Sequence, residues 1–381
     1  MILPGGAIGI LGGGQLGRML AVPARQLGYT VNVLAPLGDA PALGLADHAI
    51  RASFEDQGAA RQLAAMSDVV TYEFENVPAA TARAVAERRA LHPSVELLAI
   101  TQDRNEEHAF LDGLGISTAP GRPVHTVEEL ESAISLLGYP SRLKSARGGY
   151  DGGGQFRLRT PGALDEARRL VPTLRRGWRL EGELRFEREL SVLVARSEAG
   201  EVVCYPPFEN EHRDGILHVT TWPASGSPRA HSRALEIART IAEASGLVGL
   251  MCVECFVAGD EVRVNELAPR VHNSGHLTIE GASVSQFETH IRAICGLPLL
   301  TPEPVAGGVA MVNLLGSEDR KHVRLHGCDE ALRDPRVHVH LYGKDRERPR
   351  RKMGHVTATG VDAADARARA ERAAAVLRFG G

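Results

Sequence analysis

The most informative segment of the chain is LMCVECFVAGDEVRVNEL, residues 250–267. Its two apolar runs flank an Ala-Gly-Asp connection at 258–260, a pattern that is typical of a β-hairpin. A three-residue loop over 259–261 would place Glu254 directly opposite Glu266. A two-residue loop would shift the register by one residue and would put the two glutamates on opposite faces.

Glu254 and Glu266 are candidate metal ligands. Opposed Cβ atoms in a hairpin lie about 4.5–5.5 Å apart, so the two carboxylates would repel each other in apolar surroundings. Protonation of one carboxylate, or a cation between the two, relieves that repulsion. We predict Mg²⁺ shared with nucleotide phosphates, because hard cations prefer oxygen ligands. In the alternative register the pair would be two solvated glutamates.

A second informative segment, LKSARGGYDGGGQ, lies at residues 143–155. Lys144 ends a predicted strand, and five of the seven residues from Gly148 to Gly154 are glycine. Such a loop can fold its amides around a triphosphate while the lysine supplies a point charge. It is not a Walker loop, since no Gly-Lys-Ser/Thr follows. A plain surface hairpin is the alternative.

The N-terminal part of the chain alternates strands and helices. Strands predicted over 7–11, 29–34 and 68–72, with a helix running to about residue 28, indicate an open parallel α/β sheet of the Rossmann type. The turn GGGQLG (12–17) resembles a dinucleotide-binding loop, but VLAP (33–36) lacks the acidic residue expected at the end of the second strand. The loop therefore holds another phosphate-bearing ligand or is a tight turn.

The remaining elements are assigned from pattern alone. The first unit ends near Pro93, and a helix over 101–114 follows. The clearest later helix is predicted over 232–245. Beyond residue 298 we expect a β-rich tail that closes with an Ala/Arg-rich helix over 362–379.

Composition limits the functional classes. A length of 381 residues predicts two or three packed units, and the net charge of −3 gives no indication of nucleic-acid or membrane binding. No apolar run reaches the roughly 18 residues of a membrane helix, and the opening residues do not resemble a signal peptide. Five scattered cysteines predict reduced thiols and a cytoplasmic location. Cys252-x-x-Cys255 has no second ligand pair, which favours ordinary strand residues over a zinc site.

Together these features carry a family resemblance. Lys144 with its glycine loop, Glu181 with Glu189, and the glutamate hairpin resemble the ATP-grasp ligases. More narrowly, the chain resembles the 5-(carboxyamino)imidazole ribonucleotide synthase family. The matching stretches are GILGGGQLGRML (9–20), TYEFENVP (71–78), TQDR (101–104), GGYDG (148–152), FERELSVLVAR (186–196), DGIL (214–217), ECF (254–256), NELAPRVHNSGH (265–276), ASVSQFE (282–288) and RKMGH (351–355).

The resemblance implies a fold and a reaction. The expected domains are an N-terminal α/β pre-ATP-grasp domain (1–100), an ATP-grasp domain (101–298, lid about 118–182) and a small β-rich C-terminal domain with a terminal helix (299–381). The implied enzyme is a cytoplasmic homodimer that binds no nucleic acid or membrane. It uses ATP, Mg²⁺ and bicarbonate to carboxylate 5-aminoimidazole ribonucleotide through carboxyphosphate in purine biosynthesis.

The resemblance also implies roles for individual residues. Glu254 and Glu266 would hold magnesium, and Arg270, His272, Asn273 and Lys344 would be the catalytic residues. Tyr150, Asp151, Lys344, Arg351 and Lys352 would hold the ribonucleotide, although a solvated basic run is the alternative for the last three. The implied nucleotide-binding set is Arg104, Lys144, Gly149, Tyr150, Asp151, Gly152, Gly153, Gly154, Gln155, Glu181, Gly182, Glu183, Leu184, Glu189, His212, Asn265 and Glu266.

Two positions depart from the pattern of the family, and a third distinguishes the family from many other ATP-grasp proteins. Gly153 stands where the family usually has Arg or Lys, so weaker ribonucleotide binding is expected, and His108 replaces a frequent lysine. Ala268 replaces the asparagine of many ATP-grasp proteins, a feature that the family shares. The alternatives are a formate-using ligase that acts on glycinamide ribonucleotide, and a nucleotide-binding protein with weakened catalysis.

Overall fold

The computed structural model describes residues 1–149 and 153–380. The N-terminal part contains nine elements. They are β1 (Ala7–Leu11), α1 (Gln15–Gln26), β2 (Thr30–Ala35), β3 (His48–Arg51), α2 (Gln57–Ala65), β4 (Val69–Tyr72), α3 (Ala79–Ala86), α4 (Val95–Thr101) and α5 (Arg104–Gly113). The first four strands form a parallel sheet in the order β3-β2-β1-β4. The predicted open parallel sheet is confirmed, and β3, α2, α3 and α4 are additional elements.

A separate antiparallel sheet follows. Its region comprises β5 (Gly121–Val124), α6 (Val127–Leu137), β6 (Ser141–Ser145), β7 (Gln155–Leu158), α7 (Leu164–Leu170) and β8 (Trp178–Gly182). The strand order is β5-β8-β6-β7, and the glycine-rich segment connects β6 to β7. The Ser145 N–H donates to the Gly154 carbonyl at 2.8 Å, which closes the base of this connection.

The largest sheet spans the rest of the chain. Its strands and helices are β9 (Arg188–Arg196), β10 (Val202–Cys204), β11 (Phe208–Arg213), β12 (Ile216–Trp222), α8 (Pro228–Ala244), β13 (Gly249–Ala258), β14 (Glu261–Ala268), α9 (Thr278–Gly281), α10 (Gln286–Cys295), β15 (Gly308–Leu315), β16 (Arg320–Lys321), β17 (Arg324–His326), α11 (Cys328–Ala331), β18 (Val337–Leu341), β19 (Arg346–Glu347), β20 (Lys352–Gly360), α12 (Ala363–Val376) and β21 (Arg378–Gly380). Nine of these strands form one sheet, ordered β14-β13-β9-β11-β12-β15-β20-β18 with β10 beside β9. The expected C-terminal domain therefore shares its sheet with the expected ATP-grasp domain, because β15, β20 and β18 extend that sheet.

Alternation along β13 places two cores on opposite faces of this sheet. Met251 and Val253 pack in the core that contains α8. Leu250 and Cys252 pack in the core that contains α10 and the N-terminal sheet. Since successive strand residues face opposite sides, the even-numbered side chains of β13 face the N-terminal sheet.

The C-terminal helix is shorter than predicted. The sequence pattern indicated a helix over 362–379, but α12 ends at Val376. Arg378–Gly380 instead form β21, which pairs with β17. Pairing with a strand that precedes it by more than fifty residues overrides the local helical pattern. Among the described residues, no helix is long and apolar enough to cross a membrane.

The N-terminal glycine turn is occupied by a side chain of the protein itself. Glu73, directly after β4, is buried and accepts hydrogen bonds from the backbone N–H groups of Gly14 and Gly17, the latter at 2.8 Å. A carboxylate at the N-terminus of α1 satisfies amides that a phosphate would need and balances the helix dipole. The turn is therefore not open to a dinucleotide, in agreement with the missing acidic residue in β2.

We predict that Gly12→Ala destabilises the chain more than Gly38→Ala. Both glycines have φ near +120° (+121° and +126°), so alanine strains the backbone at either position. At Gly12 an added Cβ would also overlap the Glu73 side chain, whereas Gly38 has open space. We expect the unfolding free energy of Gly12→Ala to be lower by an additional ~1–3 kcal/mol, measured by urea denaturation. Equal losses in the two variants would contradict this packing.

Candidate active site

A large cavity lies where the three sheets meet. Its volume of about 1330 Å³ exceeds the ~300–1,000 Å³ that is typical for one small ligand. It is lined by α1 and loops of the N-terminal part, by the small antiparallel sheet and by the large sheet. The cavity therefore has room for two ligands side by side.

Most of the predicted site residues line this cavity. The residues concerned are Arg104, Lys144, Gly149, Gln155, Glu181, Gly182, Glu183, Leu184, Glu189, His212, Glu254, Asn265, Glu266, Arg270, His272, Asn273, Lys344, Arg351 and Lys352. Gly153 and Gly154 are described but are not among the lining residues. Tyr150, Asp151 and Gly152 lie outside the described residues. The structure thus brings together residues that the sequence separates by more than two hundred positions.

Glu254 and Glu266 pair as predicted, but the loop and the register of the hairpin differ from the prediction. Ala258 pairs with Glu261, so the loop has two residues and the predicted three-residue loop is wrong. A β-bulge between Glu254 and Cys255 then shifts the register, and Glu254 pairs with Glu266. The extra residue is Asn265, since Val264 already pairs with Cys255. The bulge restores the facing arrangement that a plain two-residue loop would have abolished.

Each glutamate of this pair is balanced by a cationic group. His272 Nε2 lies 2.8 Å from Glu254 Oε1, and Arg104 donates to Glu266 at 2.8 Å. Burial alone would raise the pKa of Glu254, but His272 and the nearby His212 lower it to about 2. Two carboxylates in register on the cavity side, each paired with a displaceable cation, form a donor set that fits Mg²⁺.

Lys144 and Glu181 form a buried ion pair in the wall of the cavity. Lys144 Nζ lies 2.6 Å from Glu181 Oε2, and both side chains are less than 10% exposed. Arg104 and Arg179 also approach Glu181 at 3.8 Å. Burial would raise the pKa of Glu181, but Lys144 and its other cationic neighbours hold it well below its usual range. The carboxylate is therefore ionised and holds Lys144 at the cavity wall.

His108 belongs to the same cluster. Its Nδ1 lies 3.0 Å from Thr118 Oγ1, and its Nε2 lies 3.4 Å from Glu181. Burial lowers the pKa of His108, which favours the neutral imidazole. The replacement of a frequent lysine by histidine thus leaves one positive charge fewer beside Glu181.

Glu189 and His212 lie together on neighbouring strands β9 and β11. His212 Nδ1 is 2.8 Å from Glu189 Oε2. Burial would lower the pKa of His212, but the hydrogen bond and charge of Glu189 raise it. Phe186 and Phe256 stack beside this pair of strands, with ring centroids 4.4 Å apart, and both line the cavity. The sequence analysis did not identify this aromatic pair, because no local motif marks it.

The predicted anion-binding residues are held by partners that sequence analysis missed. Arg270 donates to both carboxylate oxygens of Glu75, with the Nη2–Oε1 bond at 2.9 Å. Burial would raise the pKa of Glu75, but Arg270 lowers it to about 2. Asn273 and Asn313 exchange reciprocal amide hydrogen bonds of 3.1 and 2.7 Å. Both arrangements orient side chains toward the cavity before a ligand binds.

Basic residues of the C-terminal region also line the cavity. Lys344 Nζ donates to Gln15 Oε1 at 2.6 Å and lies 5.4 Å from the centre of the Tyr342 ring. Burial, helped by Arg351, lowers the pKa of Lys344 to about 8. Arg351 donates to Asp39 at 2.6 Å. These contacts to the N-terminal domain distinguish Lys344 and Arg351 from a solvated basic run.

The two cysteines of the CxxC pattern do not face each other. Cys255 packs in the α8 core, whereas Cys252 packs on the opposite face of β13. Cys252 lies behind Glu254 and His272, and one ligand atom from each of the three residues falls within 4.8 Å of the others. The interpretation of Cys252 and Cys255 as strand residues agrees with this placement.

We predict that the buried carboxyl of Glu107 makes the folding stability of the chain depend on pH. Its buried carboxyl accepts the Leu267 N–H at 2.6 Å, and burial raises its pKa from 4.5 to about 8, despite the opposing charge of Arg104. The folded state therefore holds this proton more tightly than the unfolded state, and stability falls as pH rises from about 4.5 to about 8. We expect Glu107→Gln to lose this dependence and to become the more stable protein above about pH 8.

Urea denaturation of both proteins across this range is the measurement. Parallel stability curves for the wild type and Glu107→Gln would contradict the assignment. Glu106→Gln is a matched control, because its side chain is exposed at the start of the same helix and should leave the curve unchanged.

Comparison with known proteins assigns the family. An N5-carboxyaminoimidazole ribonucleotide synthase from Bacillus subtilis is 43% identical over 360 residues, covering 94% of this chain and 92% of the relative. The chain belongs to the N5-carboxyaminoimidazole ribonucleotide synthase family. Family profiles match the ribonucleotide synthetase preATP-grasp domain at residues 6–102, the ATP-grasp domain at 109–287 and the phosphoribosylaminoimidazole carboxylase C-terminal domain at 309–369.

Solved structures of this synthase family share the fold. An ADP complex of an N5-carboxyaminoimidazole ribonucleotide synthetase has a TM-score of 0.90 and 41% identity, covering 98% of this chain and 97% of that chain. The synthase of Aspergillus clavatus in complex with ADP and 5-aminoimidazole ribonucleotide has a TM-score of 0.87 and 33% identity. The match covers 97% of this chain and 98% of that chain. The chain is an ATP-grasp ligase with the pre-ATP-grasp, ATP-grasp and C-terminal parts that were expected.

Proposed function

We propose that the chain carboxylates 5-aminoimidazole ribonucleotide with bicarbonate and ATP. A bicarbonate oxygen attacks the γ-phosphorus of ATP, which forms carboxyphosphate and releases ADP. Carboxyphosphate then breaks down to CO₂ and phosphate, and the exocyclic amine of the ribonucleotide captures the CO₂ and loses a proton. The observation that carries this proposal is one cavity that is lined both by the Glu254–Glu266 pair and by the basic residues Arg270, Lys344 and Arg351. The two-ligand complex of the Aspergillus relative supports it, and favours it over a formate-using ligase.

The nucleotide would bind between the small antiparallel sheet and the large sheet. Lys144 is positioned to exchange its pairing with Glu181 for a phosphate oxygen, since the buried amine needs an anionic partner in either state. Glu181 and the backbone near Leu184 would receive the adenine, beside the apolar faces of Phe186 and Phe256. Glu189 would accept the ribose hydroxyls, with His212 as its neighbour. The nucleotide would not bind the turn at Gly12–Gly17, because Glu73 occupies the amides of Gly14 and Gly17.

Glu254 and Glu266 would hold Mg²⁺. The ion would supply charge neutralisation and alignment of the phosphoryl group that is transferred. Arg104 and His272, which now balance the two carboxylates, would then be free to turn toward phosphate or carboxyphosphate oxygens. Arg104 and His272 would therefore already lie beside the positions where negative charge develops. Such preorganised cations stabilise the transition state.

The ribonucleotide would bind beside the basic residues of the C-terminal region. Arg270, His272 and Asn273 would surround bicarbonate and carboxyphosphate, and Lys344 would lie between them and the acceptor. Because burial lowers the pKa of Lys344 to about 8, part of the population is neutral at cellular pH and can accept a proton. Arg351 and Lys352 would bind the 5′-phosphate, together with Tyr150 and Asp151 from outside the described residues.

Two further properties are proposed from the family resemblance. We expect a homodimer in the cytoplasm, and the five free cysteines support a reducing compartment. Gly153 in place of a basic residue is expected to weaken ribonucleotide binding and to leave ATP binding unchanged.

The proposed function is tested by ADP release with single substrates omitted. We expect rapid ADP release only when ATP, bicarbonate and 5-aminoimidazole ribonucleotide are all present. Release that requires formate and glycinamide ribonucleotide instead would establish the formate-using alternative. A chain that binds ATP but releases no ADP under any of these conditions would be a nucleotide-binding protein with lost catalysis.

A further inference from the structure

We infer that Cys252, Glu254 and His272 form a binding site for a thiophilic divalent cation such as Zn²⁺ or Cd²⁺. This site is distinct from the proposed Mg²⁺ pair but shares Glu254 with it. Occupation by the softer metal would therefore compete with Mg²⁺ and inhibit the enzyme. The family resemblance assigns no metal ligand to Cys252.

The three side chains converge without any backbone change. Cys252 and Glu254 are two residues apart on β13, so they face the same side of the sheet. His272 Nε2 lies 2.8 Å from Glu254 Oε1, and the three candidate ligand atoms all fall within 4.8 Å of one another. Ligand atoms of a tetrahedral zinc ion lie about 3.3–3.7 Å apart, as its bond lengths of about 2.0–2.3 Å require. Small side-chain rotations would therefore suffice to close the site.

The surroundings favour a soft metal over magnesium. Cys252 is fully buried behind Glu254 and His272, and the latter two line the cavity, so a cation would enter from the cavity and meet the thiol last. Ser274 supports the group, with its hydroxyl 2.8 Å from His272 Nδ1 and 4.0 Å from Cys252 Sγ. A sulfur–nitrogen–oxygen donor set binds Zn²⁺ far better than Mg²⁺, which prefers oxygen ligands alone.

Binding would change the side chains that the proposed reaction uses. The ion would replace the hydrogen bond between His272 and Glu254, and it would hold Glu254 away from Mg²⁺. Cys252 and His272 would each release a proton if protonated, since thiolate and neutral imidazole are the binding forms. The inhibition part of this inference rests on the proposed function, whereas the binding part does not.

The test uses Cd²⁺ with the full-length chain and two matched variants. Cys252→Ala removes the thiol from the site, while Cys255→Ala removes an equally buried thiol from the opposite face of the same strand. The binding readout is the ultraviolet thiolate-to-cadmium charge-transfer absorption, titrated in the absence of nucleotide. The second readout is inhibition of ADP release by Cd²⁺ at saturating Mg²⁺, relative to the uninhibited rate of each variant.

We expect the wild type and Cys255→Ala to bind one Cd²⁺ with the same affinity, and Cys252→Ala to bind at least about tenfold more weakly and without the absorption band. Retention of the band in Cys252→Ala, or its loss in Cys255→Ala only, would overturn the site. Binding at Cys252 without inhibition would overturn only the competition with Mg²⁺. If Cys252→Ala does not fold, Cys252→Ser retains the side-chain volume and replaces the thiolate with a poor ligand for Cd²⁺.

Discussion

We expect Glu266→Gln to lower the rate of ADP release by about a thousandfold while the chain stays folded. Glutamine keeps the size of the side chain but removes the negative charge that would hold Mg²⁺ against the nucleotide phosphates. Loss of one electrostatic contact to a transferring phosphoryl group costs about 10²–10³ in turnover. The side chain is 43% exposed, so the loss of its ion pair with Arg104 costs little stability. The measurement is steady-state ADP release at saturating substrates.

Glu261→Gln is the matched control for this experiment. Glu261 lies on the same strand, is exposed and pairs with Arg263, outside the cavity lining. It should retain wild-type turnover. Glu254→Gln should resemble Glu266→Gln in turnover. Wild-type activity in Glu266→Gln would refute the magnesium assignment.

We expect Arg270→Met to lower turnover and also to destabilise the chain. The substitution leaves the Glu75 carboxylate without its bidentate partner in a mostly buried site, where the two side chains are 15% and 22% exposed. Removal of one member of a buried pair costs about 3–5 kcal/mol, and the residual exposure favours the lower end of that range. Turnover should fall by about 10²–10³, because a cation beside the developing carboxyphosphate is lost.

The double variant Arg270→Met/Glu75→Gln separates the two effects. Removal of both charges leaves no unpaired carboxylate, so we expect most of the stability to return while turnover stays low. Glu75→Gln alone retains Arg270 and should retain measurable turnover. Recovery of activity in the double variant would show that Arg270 acts only through stability. The measurements are urea denaturation and ADP release on all three variants.

Sequence patterns predicted those elements that are determined by a short stretch of the chain. The apolar runs of β13 and β14, the glycine turn after β1 and the lysine near the end of β6 are each visible within a dozen residues. The loop length of the hairpin was wrong, because a bulge at Asn265 leaves no mark in the hydrophobic pattern. The facing arrangement of Glu254 and Glu266 was nevertheless correct.

The partners of the site residues could not be predicted in the same way. Arg270 and Glu75 are 195 positions apart, and they meet because the large sheet with α10 packs against the N-terminal part in one core. Glu73 has a similar role toward Gly14 and Gly17, and it belongs to a motif that carried the family resemblance without a physical explanation. Such pairings depend on how the domains pack, which a sequence pattern does not encode.

The same limit applies to the C-terminal region. The pattern predicted a β-rich tail, but it did not indicate that β15, β20 and β18 extend the sheet of the ATP-grasp region. This continuity carries Lys344 and Arg351 to the cavity, where they contact Gln15 and Asp39 of the N-terminal domain. A basic run that resembles a solvated surface in sequence is therefore part of the site wall.

In the proposed reaction, ATP activates bicarbonate as carboxyphosphate in this cavity. This step is tested most directly with oxygen-18-labelled bicarbonate, unlabelled ATP and 5-aminoimidazole ribonucleotide, followed by mass analysis of the phosphate released. Because a bicarbonate oxygen bonds to the γ-phosphorus and stays there when carboxyphosphate loses CO₂, we predict one labelled oxygen in each phosphate formed. Unlabelled phosphate, released at the same rate as the carboxylated product, would contradict the account.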